Sequence, residues 1–300
     1  MALIFVFLDG VGLAPGGPDN PLSDAPTPHL HALLGGPLVL ETAQTFYHRE
    51  VDSIVFKPID ATLGIVGLPQ SGTGQTALLA GVNAAALHGR HQPHVPPVAL
   101  RQLLAEQNIL RRVAQRGGRA TFANAFTPAY WQALAARRIR KSASVIAAEG
   151  AGLRFRDLED LQRGAAVAWD VSGAAMRGRG EQITLVSPTQ AGTALARLAH
   201  DHDLVFYENF LPDLAGHGRA QQTTHEVFAL LDSFLGAVMA AQRPQDTLLL
   251  SSDHGNIESI ASPGHTRNPV PLLAVGAKAA AFDKLISIIE IAGIIDEVTR

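Results

Sequence analysis

Ala2-Leu3-Ile4-Phe5-Val6-Phe7-Leu8, followed at once by Asp9-Gly10-Val11-Gly12, is the stretch that decides the fold. Seven apolar residues without alternation, several of them β-branched or aromatic, describe a strand covered on both faces, as in the centre of a parallel sheet. The run is too short to span a membrane, which needs ~18 or more continuous apolar residues. It also lacks the basic segment that precedes a leader's apolar core, so a strand and a cytoplasmic protein are expected.

Outward from this strand the chain alternates. A Pro/Gly/Asn-rich loop over 15–28 is expected to edge a site. A strand is expected near 53–56 and a helix over 75–86, with glycine-rich chain before it. From 184 the same grammar resumes: helix 188–200 with Ser187 as N-cap and Pro188 at its first position, strand 204–209, helix 222–242, strands 247–252 and 270–275, and a last helix near 283–297. Between these halves Pro93, Pro96 and Pro97 punctuate a change of character. Helices are expected over 98–115, 129–138 and 155–164, and strands over 119–126 and 165–171. The reading is an α/β protein with a doubly wound, mainly parallel sheet. Residues 1–90 and 183–300 form a discontinuous core, and 91–182 an inserted smaller α+β cap domain.

Composition removes several function classes. Three hundred residues at roughly 150 per domain can bury a large interior, and 47% hydrophobic with 17% charged residues excludes a disordered chain. Lys plus Arg number 24 against 27 Asp plus Glu, a formal charge of −3. Nucleic acid and anionic membrane are therefore not expected as partners. The absence of cysteine rules out disulfides, thiolate catalysis and thiolate metal sites, so any metal must be held by His and carboxylate.

Such ligands gather where strands end. Asp9 follows the first strand. Asp213 and His217 follow the 204–209 strand at i, i+4, one face of a helical turn. Asp253-His254 end the next strand, and His265 lies in Gly264-His265-Thr266-Arg267-Asn268-Pro269, the loop into the final strand. Six oxygen or nitrogen donors from four segments suffice for two divalent metal ions with open positions, Mn²⁺ or Zn²⁺ ahead of Mg²⁺ because imidazole takes part. His88, His91 and His94, and the His200-Asp201-His202-Asp203 run, have no strand-end placement and read as structural or solvated.

Leu68-Pro69-Gln70-Ser71-Gly72-Thr73-Gly74-Gln75-Thr76 is a glycine turn opening a helix, which aims N–H groups at an anion such as phosphate. Ser71 is the candidate nucleophile and Thr73 the rival hydroxyl. The segment lacks the Gly-Lys of a P-loop and the flanking glycines of a nucleophile elbow.

Asp9-Gly-Val-Gly, Ser71 with Gly81 ten residues on, Asp213-x-x-x-His217, Asp253-His254-Gly255-Asn256 and Gly264-His265-Thr266, in that order, resemble the alkaline phosphatase superfamily. The likeness is to its cofactor-independent phosphoglycerate mutase and phosphopentomutase branch, over roughly residues 1–90 and 185–300. The resemblance implies one metal on Asp213, His217 and His265 and a second on Asp9, Asp253, His254 and the Ser71 oxygen, with phosphoryl transfer through a phosphoserine. The mutases of that branch carry His four residues after the nucleophile, where this chain has Gln75, so net hydrolysis of a small phosphorylated metabolite is expected ahead of a mutase reaction. A non-catalytic metal-binding module remains open, as does a sulfatase, although the Pro/Arg pattern of sulfatases does not follow Ser71. Arg267, and Arg138 and Lys141 from the basic run 137–141, are candidate substrate contacts. Oligomeric state is not legible.

Overall fold

The computed structural model describes residues 1–46, 53–261 and 264–300. Strands β1 (Leu3–Leu8), β2 (Ile54–Ile59), β3 (Ala120–Phe122), β4 (Leu204–Asn209), β5 (Thr247–Ser251) and β6 (Val270–Gly276) form one sheet in the order β2-β6-β5-β1-β4-β3. β1 pairs in parallel with β4 and β5, and β3 with β4, while β6 pairs antiparallel with both β5 and β2. β6 alone is therefore reversed. Its entry loop lies at the same sheet edge as the carboxyl ends of the other strands, where ligand sites of open α/β sheets sit.

β1 is buried throughout, and its side chains divide by the strand period of two. Leu3, Phe5 and Phe7 join one core cluster with Phe122, Phe206 and the helices Ser71–Ala80, Ala143–Gly150 and Ile288–Val298. Ile4, Val6 and Leu8 join the other, with Leu195, Phe228, Leu231 and Phe234 from the helices Pro188–Leu198 and Thr224–Ala241. Helices on both faces make the expected doubly wound arrangement. Thr224–Ala241 is long and apolar enough by composition to cross a membrane, yet its apolar stripe lies in this core. Ser187 caps Pro188–Leu198 through a reciprocal pair: Gln190 N donates to Ser187 Oγ (3.2 Å) and Ser187 N to Gln190 Oε1 (3.0 Å).

The region expected as a separate cap, 91–182, differs from that expectation. β3 is an edge strand of the main sheet, with the Phe122 ring stacked on Phe206 at 5.4 Å. Leu104, Ile109, Leu110, Val113 and Ala147 lie inside the first core cluster. Only a small satellite, Ala125, Leu161, Ala166, Ala168, Met176 and Ile183, has its own interior.

Local corrections have local causes. The helix expected over 75–86 starts at Ser71 and stops at Gly81, which is left-handed (φ +70°). The 98–115 helix is broken where the Asn108 side chain accepts from Arg111 N (3.0 Å) and starts a new helix. The strand expected over 165–171 makes only isolated bridges, and Ala143–Gly150 is a helix the periodicity did not show.

Because Phe206 touches the rings of both Phe5 and Phe122, Phe206→Ala is expected to cost about 3–5 kcal/mol, to be read from denaturant unfolding; a loss below 1 kcal/mol would contradict this packing.

Candidate active site

Each element end delivers one part of the site. Asp9 is the first residue past β1, its N–H donating to Asn209 O (2.9 Å). Phe210 turns β4 into the helix Leu211–Gly216, whose Pro212 fixes the first turn. Asp213 lies on this helix and His217 caps it, with His217 N donating to Asp213 O (3.0 Å). The i, i+4 reading thus holds. Asp253 and His254 follow β5 and are fully buried. His265 arrives from the loop into reversed β6. β2 delivers the chain towards Ser71, the first residue of a ten-residue helix that is buried throughout.

The donor atoms converge. His217 Nε2 and His265 Nε2 are 3.3 Å apart, and each is 3.4 Å from Asp213 Oδ1. Around His254 Nε2 lie Ser71 Oγ at 3.0 Å, Asp9 Oδ1 at 3.3 Å and Asp253 Oδ2 at 3.5 Å. The His254 and His265 rings stack at 3.7 Å and join the two groups. Donor atoms of Asp213, His217 and His265 all lie within 4.8 Å of one another, and so do those of Asp9, Asp213 and His254. The structure therefore gathers every residue of the two implied ligand sets. It also places Asp213 between them, which the resemblance did not imply.

Gly10 and Gly74 permit this crowding. A Cβ on Gly10, whose φ is +73°, would lie 2.7 Å from Asp213 Cβ, and one on Gly74 would lie 2.8 Å from Asp253 O. Glu258, wholly buried, ties the loops together. Its carboxylate accepts from Gly12 N (2.9 Å), Asn256 N (2.8 Å), Asn268 Nδ2 (2.9 Å) and the Thr266 hydroxyl. Asn256 Nδ2 in turn donates to Asp213 Oδ1 (2.7 Å). Glu258 escaped the sequence reading because its partners Gly12 and Thr266 are 246 and 8 positions away, with no common spacing. Asn256 stood in the Asp-His-Gly-Asn motif without an assigned role.

The electrostatics ask for positive charge. Burial pushes the Asp9 carboxyl well up, and Asp253 and Asp213 push it further. Burial also acts to raise Asp213, but its hydrogen bond with His265 and the neighbouring His254, Asn256 and His217 outweigh it and hold this carboxyl at about 2. Burial lowers His254. Asp9 Oδ1 and Asp253 Oδ2 are buried without a hydrogen-bond partner, and among the described residues no Lys or Arg pairs with Asp9, Asp213 or Asp253. Buried anions are paired or bind metal. Pro69 O can only accept, so His265 Nδ1, 2.8 Å away, carries the hydrogen and leaves Nε2 for a cation. Partnerless carboxylate oxygens beside imidazole nitrogens fit divalent metal.

Other expected residues fall outside this cluster. The Thr73 hydroxyl donates to Gln70 O (3.2 Å) and accepts from Gln92 N (3.2 Å), which makes it a structural clamp and leaves Ser71, on His254 Nε2, as the hydroxyl within the cluster. Arg267 Nη1 donates to Gly67 O (2.6 Å), Lys141 pairs with Glu149 (2.6 Å), and Arg138 is exposed.

With this geometry in place, residues 187–294 match the Metalloenzyme superfamily. That segment holds Asp213, His217, Asp253, His254 and His265. The 2,3-bisphosphoglycerate-independent phosphoglycerate mutase of Rhodopseudomonas palustris is 33% identical over 115 residues, 35% of this chain and 23% of that protein. The phosphopentomutase of Chromohalobacter salexigens is 42% identical over 67 residues, 22% of this chain and 16% of that protein. The matched segments thus span less than a quarter of these relatives. A cold-active alkaline phosphatase from Shewanella sp. superposes over 100% of both chains with a TM-score of 0.52 at 12% identity. By fold the chain is alkaline phosphatase-like.

Glu208, on β4 beside the site, is pushed up to about 8 by burial, against the hydrogen bond it accepts from Ser144. A carboxyl raised on folding binds its proton more tightly in the native state, so its stability contribution is full at acid pH and is lost as pH rises through about 8. Glu208→Gln should flatten this loss between the ordinary glutamate range and pH 8 in metal-free protein; unfolding curves of parallel slope against pH would contradict it.

Proposed function

We propose that this chain is a metal-dependent phosphoryl-transfer enzyme acting through a phosphoserine at Ser71, and that the net reaction is hydrolysis of a small phosphomonoester. The observation that carries the reading is the Ser71 hydroxyl, 3.0 Å from His254 Nε2, at the start of a buried helix and inside a shell of partnerless carboxylate oxygens. Asp213, His217 and His265 would hold one divalent cation, and Asp9, Asp253, His254 and Ser71 Oγ the other, with Mn²⁺ or Zn²⁺ favoured over Mg²⁺. When bound, such ions lower the hydroxyl's pKa and neutralise charge on the attacking and leaving oxygens.

The chain's own part is placement. The Ser71 helix directs its first N–H groups and positive end towards the phosphoryl oxygens. Ser71 Oγ forms the new P–O bond as the ester P–O bond breaks, and the alcohol leaves with a proton. Water then attacks the phosphoserine, releasing phosphate and restoring the hydroxyl. The cations expected to grip the rest of a substrate support hydrolysis over retention, because Arg267 and Lys141 are engaged elsewhere. A mutase must keep water from the phosphoserine while its dephosphorylated substrate reorients, which asks for fixed cationic contacts and closure. The mutase reading rests on the two relatives named above, and Gln75 in place of histidine argues against it.

With Mn²⁺, the protein should hydrolyse p-nitrophenyl phosphate, and Ser71→Ala should abolish turnover while the Asp213, His217 and His265 set still takes up metal. Retained turnover would exclude Ser71 as nucleophile. In a panel of phosphometabolites with free phosphate and isomer both quantified, phosphate should accumulate; isomerisation of 3-phosphoglycerate or ribose 1-phosphate without release would establish the mutase.

A further inference from the structure

Gln75 lies one helical turn after Ser71, on the same face of the same helix. It is 3% exposed, and its Nε2 donates to Asp9 Oδ2 (3.1 Å). The other oxygen of that carboxylate, Oδ1, is 3.3 Å from His254 Nε2 and is buried without a hydrogen-bond partner. The two oxygens of Asp9 thus have different tasks, and one amide divides them.

Building on the two-cation reading of the site, we propose that Gln75 is a positioning residue for the metal centre. It occupies Asp9 Oδ2, fixes the carboxylate plane and presents Oδ1 alone to the cation shared with His254. An amide suits this position because it orients an anion without neutralising it. A lysine or a protonated histidine there would pair with Asp9 and compete with the metal for its charge, whereas an apolar side chain would leave Oδ2 buried and unsatisfied beside Asp253 and Asp213. Since Ser71 and Gln75 ride on one helix, hydroxyl and carboxylate are set by the same rigid body. Partners of this kind, standing behind a metal ligand, are worth about 10- to 100-fold in metal affinity.

The test is calorimetric titration of chelator-stripped protein with Mn²⁺. Wild type is expected to show two binding events. Gln75→Leu and Gln75→Met, the latter close in shape but without an N–H donor, are expected to weaken one event about 10- to 100-fold and leave the other near the wild-type value. Gln75→His, titrated above the ordinary imidazole range so that the neutral ring donates one N–H without adding charge, should recover most of the loss. The unfolding midpoints of the metal-free variants separate positioning from folding: they should stay close to wild type, and if Leu does not fold, Met decides. Equal Mn²⁺ affinity in wild type and the folded variant would overturn the inference while the site reading stands. Absence of Mn²⁺ binding by wild type would overturn both.

Discussion

Three carboxylates, Asp9, Asp213 and Asp253, are held close together at the carboxyl edge of one sheet, and the rest of the architecture follows from keeping them there. Left alone they would repel one another or take up protons. The fold opposes this with backbone. Glycines at 10 and 74 let chain segments approach closer than any Cβ permits, and Glu258 fastens the loops of Gly12, Asn256 and Thr266 through hydrogen bonds that leave its carboxylate satisfied. The supports are fully bonded, while Asp9 Oδ1 and Asp253 Oδ2 are left without a hydrogen-bond partner. Glu258 is saturated where Asp9 and Asp253 each keep one partnerless oxygen, the difference on which the proposed ligand assignment rests.

The reversal of β6 makes the site possible. In an all-parallel sheet the loop leading into a strand lies at the opposite edge from the loops leaving its neighbours. Reversed β6 brings His265 to the edge where Asp9, Asp213 and Asp253 emerge. The same loop reaches across to Pro69 through His265 Nδ1, so the segment leading to Ser71 and the His265 ring share one hydrogen bond.

Much of this was legible from residues. β1, β4, β5 and β6 were readable because buried strands are unbroken apolar runs ended by Asp, Asn or Gly, and the six donors because they occupy those ends. Ser71 was readable as a hydroxyl in a glycine turn, although its helix begins there rather than at Gln75. What stayed hidden depends on partners distant in sequence. Residues 91–182 read as a separate body from their prolines and short helices; the pairing of β3 with β4 and the stacking of Phe122 on Phe206, which tie β3 to the main sheet, depend on partners about 84 positions away. Thr73 and Ser71 could not be told apart until Gln92 folded back onto Thr73. Asp213's place between both donor groups needed three dimensions, since it depends on Gly10 lying against it.

The sheet's two margins show how an open α/β core avoids lengthening. β3 is three residues long and offers a passing strand few free backbone groups. At the far margin Pro58 of β2 stands opposite Pro271 of β6. Neither can donate, so the pair sits where the ladder has no hydrogen bonds, and the N–H that Pro58 lacks is one that would have faced outward. A truncated margin on one side and a silenced one on the other leave little template for chain-to-chain strand pairing. The sheet edge that carries the carboxylate and imidazole cluster is therefore flanked by margins that offer little to aggregation.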